Sequence, residues 1–219
     1  MFVGSSETAN PPSYDLAVCF CSNVIGAFTS ILDMLDSESE QIVRGVVALT
    51  VNVLYILYTQ QEGKEASMSM TDFKDQLLNH RNGSFFGETL LQILNSHEGE
   101  KNEAERMLVA VHVLLLQEDK KENHQGSVRR IIFFDSDLPI LLTVALRLLS
   151  EEDDESQQTL LMKILFDLMS METIQGNQMT CKDISLTMNN LLESSRVSRL
   201  VKDQAEEFLT EFIHVLDRQ

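Results

Sequence analysis

The chain has 219 residues, 43% apolar and 23% charged, and its 34 acidic side chains against 17 basic ones give a formal charge of −17. This is the composition of a folded globular chain rather than a disordered one, and so strong a negative charge disfavours nucleic acid and anionic lipid as partners, leaving solubility or basic protein surfaces as its use. Nine glycines and three prolines are few for an architecture of strands and tight turns, and favour long helices.

Residues 1–13 are small and polar with two prolines and read as a disordered lead-in; residues 14–219 read as a single helical domain. Residues 15–35 form a first apolar helix and 38–60 a second, whose opening "SESEQ" supplies a serine and acids suited to a helix N-terminus. Each contains an apolar run that needs a membrane check. Residues 16–32 have no Lys or Arg before them, so the basic region of a signal peptide is missing. Residues 42–58 include Arg44 and Asn52 and fall short of the ~20 residues that a spanning helix needs. Both read as buried core helices, and no membrane insertion is expected.

Thr71 is placed to cap a third helix over 70–80, which "RNG" at 81–83 ends, since Asn and Gly tolerate the left-handed backbone of a C-cap. Helical spacing of Phe85, Phe86, Leu90, Ile93 and Leu94 predicts a fourth helix over 84–96, and 102–117 a fifth. After a charged loop at 118–126, Ser127 opens a short helix, "SVRRIIFF". Asp135 or Ser136 caps the next, with Pro139 in its first turn, where a missing N–H costs little. "SEEDDES" at 150–156 is then a turn and the acidic start of a helix over 157–172. Thr180 or Asp183 opens a helix ending near Leu192, and a last helix runs from about Ser195 to Leu216. The pattern contains about ten helices and no strand. Several are apolar around most of their circumference and must pack on two sides, which predicts an all-α, armadillo/HEAT-like α-solenoid.

The catalytic patterns are missing. There is no Gly-rich nucleotide loop and no nucleophile elbow. Histidines 80, 97, 112, 124 and 214 do not pair at metal-ligand spacing, and the acidic run at 151–155 lacks the alternation and glycine of a calcium loop. His112 reads as a satisfied core or groove histidine. Cys19, Cys21 and Cys181 are odd in number, so no disulfide framework is expected and a reducing setting, cytosol or nucleus, is; the localisation expected for the chain is cytoplasmic. The expectation is a chain without catalytic activity, metal or cofactor. Basic residues are scarce, so their clusters matter: Arg129 with Arg130, and Arg196, Arg199 and Lys202, at three-residue steps on one face of the last helix. They either dock an acidic partner or balance neighbouring acids.

Two blocks carry a resemblance. "RNGSFFGETLLQILNSHEGEK" (81–101) is similar to a pattern N-x-x-[IF]-F-x-E-x-L-L-x-L-L-N-R-x-x-D-P, although its end reads "NSHEGE" without the arginine or proline. "RRIIFFDSDLPILLTVALRLLSEEDDES" (129–156) is similar to [IV]-F-[YF]-x-x-D-[LM]-x-x-L-[IL]-x-[IV]-x-x-R followed by a polar turn and a long helix. The order of the blocks, and a last helix containing "EEFL" at 206–209, also agree, so residues 71–216 resemble the leucine-rich C-terminal domain of the WISH/DIP family of Nck-interacting SH3 adaptors and their fungal Dip and Ldb relatives. The resemblance implies an armadillo-like domain that binds the actin-related protein complex and activates it to nucleate linear actin filaments. The runner-up is a generic α-solenoid scaffold, of formin-regulatory or trafficking type, binding another helix or peptide. "FFDSD" then reads as a helix–helix corner in which Phe133 and Phe134 pack the core and Asp135 or Asp137 caps the incoming helix.

Overall fold

The computed structural model describes residues 27–61, 67–96, 101–115, 132–171, 174 and 178–216. Within them the chain is all-helical. A helical stretch over 27–33 tightens into a 3-10 turn at Met34–Asp36, and eight α-helices follow: α1 (Glu40–Gln61), α2 (Ser67–Asn79), α3 (Gly83–Asn95), α4 (Lys101–Leu115), α5 (Leu138–Glu151), α6 (Glu155–Met169), α7 (Gln178–Glu193) and α8 (Arg199–Leu216). No strand occurs among the described residues. The lead-in at 1–13, the start of the first helix and most of "SVRRIIFF" lie outside them; Ile132 and Phe133, at the end of that predicted short helix, form a bend instead.

Several boundaries differ from the sequence expectation for local reasons. The third helix starts at Ser67, so Thr71 lies within it and not at its cap. The break predicted between the third and fourth helices, "RNG", is not a left-handed C-cap: Asn82 has φ −95° and ψ 9°. Gly83 is there for close approach, since a Cβ on it would stand 2.5 Å from the Leu77 carbonyl oxygen. The turn is instead a junction to the N-terminal stretch. The buried Asn82 donates through Nδ2 to the Leu32 carbonyl at 3.1 Å, while Arg81 reaches Asp33 at 3.2 Å and Asp36 at 2.7 Å. α7 begins at Gln178, ahead of both Thr180 and Asp183, and α8 at Arg199 rather than Ser195. Ser198 sets that last start, its Oγ accepting from the Val201 N–H at 3.3 Å.

The acidic run works as a turn and a cap. Glu152 Oε1 accepts from the N–H groups of Asp153 and Asp154, both at 2.9 Å, and curls the chain out of α5. Asp154 is the N-cap of α6, its Oδ1 accepting from Ser156 N at 2.9 Å and Gln157 N at 3.2 Å. Two otherwise unpaired helix donors are thereby satisfied, and the negative charge faces the positive end of the helix dipole.

The helices have a definite order of neighbours. α1 packs on α4, α4 on α6 and α6 on α8; α3 packs on α5 and α5 on α7. Members of the two series also pair as α3 with α4, α5 with α6 and α7 with α8. Position in this order explains burial. α4 lies against α1, α3 and α6, and every residue from Met107 to Leu115 is buried. α6 is enclosed by α4, α5 and α8 and buries Leu161, Met162, Ile164, Leu165 and Leu168 completely or nearly so. The buried side chains form one continuous cluster from Phe28 to Leu216. Aromatic pairs fix its two ends: Phe28 stacks on Phe73 with centroids 3.8 Å apart, and Phe166, Phe208 and Phe212 form a triangle with centroids 4.9 to 5.9 Å apart.

Candidate interaction surface

α1 is where the sequence expectation and the fold part most clearly. Its residues Glu40–Thr59 are apolar enough for a membrane span, with mean hydropathy 1.7, and the sequence reads as a buried core helix; only 33% of that window is buried. The inward face holds Val43, Val46, Val47, Val51 and Leu54. The outward face carries Ile42, Leu49 and Ile56, two turns apart in succession and 40%, 47% and 51% exposed. Gly45 lies between the first two, with no atom within 4 Å of where a Cβ would stand.

Beside this stripe runs a groove of about 550 Å³ between α1, the start of α4 and the end of α3. Its apolar floor includes Val51, Ile93 and Met107, and its rim includes Arg44, Asn52 and Arg106. The rim is pre-arranged. Arg106 donates through Nη1 to Asn52 Oδ1 at 2.7 Å and lies 5.7 Å from the centre of the Tyr55 ring, while Arg44 pairs with Glu40 at 2.9 Å. A concave apolar floor with a few fixed polar groups has the form of a groove that can receive a helix or an extended segment.

His112 is buried in α4, with Nδ1 3.0 Å from Asp167 Oδ2 on α6 and the ring edge-on to Tyr58 of α1 at 6.1 Å. The pair ties three successive helices together, in line with a satisfied core histidine. Among the described residues no three His, Cys, Asp or Glu side chains come together as a metal group would require. Cys181 is buried on α7, and that burial pushes its thiol above the ordinary range.

The corner before α5 needs a correction. Phe133 is buried at 5% exposure, but Phe134 is 49% exposed and does not pack the core. Two adjacent residues in a non-helical stretch point opposite ways, and Phe133 is the one that faces inward. Asp137 stands at the N-cap position without capping α5: its Oδ2 accepts from the Phe134 N–H at 3.0 Å and clamps the turn, which the Asp137 N–H closes on the Phe134 carbonyl at 2.8 Å. Asp135 is exposed and Pro139 lies in the first turn as expected.

The basic trio does not share one helical face. Arg196 precedes α8 in a bend, Arg199 is the first helical residue, and Lys202 is half-buried one turn further on. The Arg199 side chain is 94% exposed and lies 3.9 Å from Asp203, a loose contact. Arg129 and Arg130 lie outside the described residues. Sequence reasoning missed the open face of α1. The available signal was the seven-residue spacing of Ile42, Leu49 and Ile56, hidden because α1 is apolar on its other faces too. No family model, curated protein or solved structure matches this chain.

Proposed function

We propose that the chain is a non-enzymatic, cytoplasmic binding module built as an armadillo/HEAT-like α-solenoid, which binds and activates the actin-related protein complex to nucleate linear filaments. The observation that carries the architectural part is the order of neighbours. Two series of helices, α1–α4–α6–α8 and α3–α5–α7, joined by the pairs α3–α4, α5–α6 and α7–α8, are what stacked helical pairs produce. The choice of partner rests on the sequence blocks at 81–101 and 129–156. Activation needs only tighter contact with the active state of the complex than with the inactive one, so no reacting group is required. Arg196, Arg199 and Lys202 are its polar anchors. The second reading, a scaffold for some other helix or peptide, is favoured by the groove between α1 and α4, whose apolar floor specifies shape more than sequence.

The test combines co-sedimentation with the purified complex and actin polymerisation without preformed filaments. Binding at micromolar chain, with faster assembly, supports the reading. Reversing Arg196, Arg199 and Lys202 together to Glu is expected to weaken binding while the melting temperature changes little, since Arg196 and Arg199 are exposed, where charges contribute little to stability, and Lys202 is only half-buried. No binding by the wild type discards the nucleator in favour of the scaffold. Binding that ignores the triple reversal keeps the function and discards the anchors.

A further inference from the structure

The outward stripe of α1 calls for an occupant. An apolar face running from Ile42 to Ile56 spans about 21 Å of helix, and contiguous exposed apolar surface of that kind is uncommon unless something covers it. The place of α1 in the fold narrows the choice. α1 begins the series that continues through α4, α6 and α8, and the 3-10 turn at Met34–Asp36 also packs on it, so the chain that enters through residues 27–36 is delivered to α1 while Ile42, Leu49 and Ile56 stay exposed. The chain immediately before the described residues has a matching character: from Leu16 to Leu32 it contains no charged residue, and Leu16, Val18, Phe20, Val24 and Ile25 are apolar.

We propose that residues 16–26 of the same chain dock on the open face of α1, covering Leu49 and Ile56 and seating their backbone over Gly45. Reach permits it. The stretch from Ala27 to Asp36 is about 14 Å of helix, and its 3-10 end packs directly on α1. Eleven further residues add about 16 Å as helix or up to about 36 Å extended, against the 21 Å of the stripe. Gly45 leaves the floor without a side chain, so an approaching backbone can come close. Charge argues against the alternatives. A second copy brings its own −17, and an anionic bilayer repels the same charge, whereas an uncharged segment tethered to α1 meets neither cost. The inference stands on α1 and the adjacent sequence, and does not depend on the partner proposed above.

Native Cys19 and Cys21 make the test direct. Leu49→Cys places a thiol on the exposed stripe, and Leu186→Cys places one on α7, where Leu186 is 62% exposed, as the control. Both full-length variants are oxidised mildly at low chain concentration, and cross-linked peptides are identified by mass spectrometry. Docking raises the local concentration of the two thiols, so the Leu49→Cys chain is expected to form an intrachain bridge to Cys19 or Cys21 at least about tenfold faster than the control. A full-length Phe20→Asp, Val24→Asp variant is expected to lose that preference and to bind more of an apolar-surface dye, with its helical circular dichroism retained. Equal bridging at both positions overturns the proposal. Interchain bridges in its place assign the face to a second copy, and co-flotation of the wild type with zwitterionic vesicles assigns it to a membrane; either result also overturns it.

Discussion

Gly87 gives the sharpest check on how α3 meets the chain entering α5. In an ordinary helix interior, Gly→Ala is favourable by about 1 kcal/mol. Here a Cβ on Gly87 would stand 2.2 Å from the Ile132 carbonyl oxygen and 2.9 Å from its carbonyl carbon. Those are backbone atoms, so no rotamer change relieves the contact. Ile132 is itself buried, and Phe133 beside it is buried too, so the segment cannot simply lift away. Forced overpacking of this kind costs about 1–3 kcal/mol, occasionally more, and the backbone contact places Gly87→Ala at the upper part of that range. Subtracting the propensity gain leaves a net loss of about 1–2 kcal/mol. Urea unfolding followed at the helical circular dichroism band reads this directly. With a slope of about 2 kcal/mol per molar, the midpoint is expected to fall by roughly 0.5–1 M without a change in slope. A midpoint equal to or above the wild type would mean that residue 132 does not rest on α3, and the α3–α5 contact would be wrong.

Four further outcomes follow, the first three read by the same unfolding measurement. Phe133→Ala is expected to cost about 3–5 kcal/mol and the exposed Phe134→Ala no more than about 0.5, and equal losses would reverse the corner. Asp154→Ala removes the side-chain cap of α6 and is expected to cost about 1 kcal/mol, whereas Asp154→Asn retains most of it; indistinguishable variants would mean the cap contributes nothing. Asp167→Ala leaves the buried His112 without its carboxylate and is expected to cost about 1–3 kcal/mol, with Asp167→Asn intermediate. The Cys181 thiol, held above its ordinary range by burial, is expected to resist alkylation in the folded chain and react once unfolded. Its sign in stability follows: the unfolded thiol ionises first, so its contribution is whole below about pH 8.5 and declines as pH rises toward the folded value. Cys181→Ser should flatten that alkaline decline, and an unchanged decline would assign it to other groups.

What the sequence disclosed was what local chemistry controls. Phe86, Leu90 and Leu94 lie at helical spacing and are all buried, so α3 was readable, and so was α8 from Val201, Phe208, Phe212 and Val215. Pro139 and the acidic run marked the start of α5 and the turn into α6 because a missing N–H and a capping carboxylate act within one turn. Contacts distant in sequence were not readable. "RNG" has the composition of a breaker, yet Asn82 and Arg81 are placed by Leu32, Asp33 and Asp36, about fifty residues earlier. The choice between Phe133 and Phe134 depends on where Ile132 lands on Gly87. The basic trio failed as a face because Ser198, not Ser195, starts the helix, a shift that turns Arg196 off it.

α1 and α4 show why the candidate surface escaped notice. Both are long apolar stretches with a few polar residues, and periodicity treats them alike. Their difference is in how much of each the neighbours cover. α4 has helices on three sides and buries nine consecutive residues, so its apolar circumference is used up. α1 has the same kind of circumference, and the 3-10 turn, α2, α3 and α4 pack on it, yet they bury only a third of it and leave Ile42, Leu49 and Ile56 exposed. The remaining apolar surface is surplus to the described fold. Surplus of that kind acts either as a seam to an adjoining segment or as a site for a partner, because an unmet exposed apolar face is a liability. If residues 16–26 fill it, α1 is architecture and partner binding moves to the other surfaces. If they do not, the face from Ile42 to Ile56 becomes the strongest docking site on the chain, and the groove at Arg106 its polar edge.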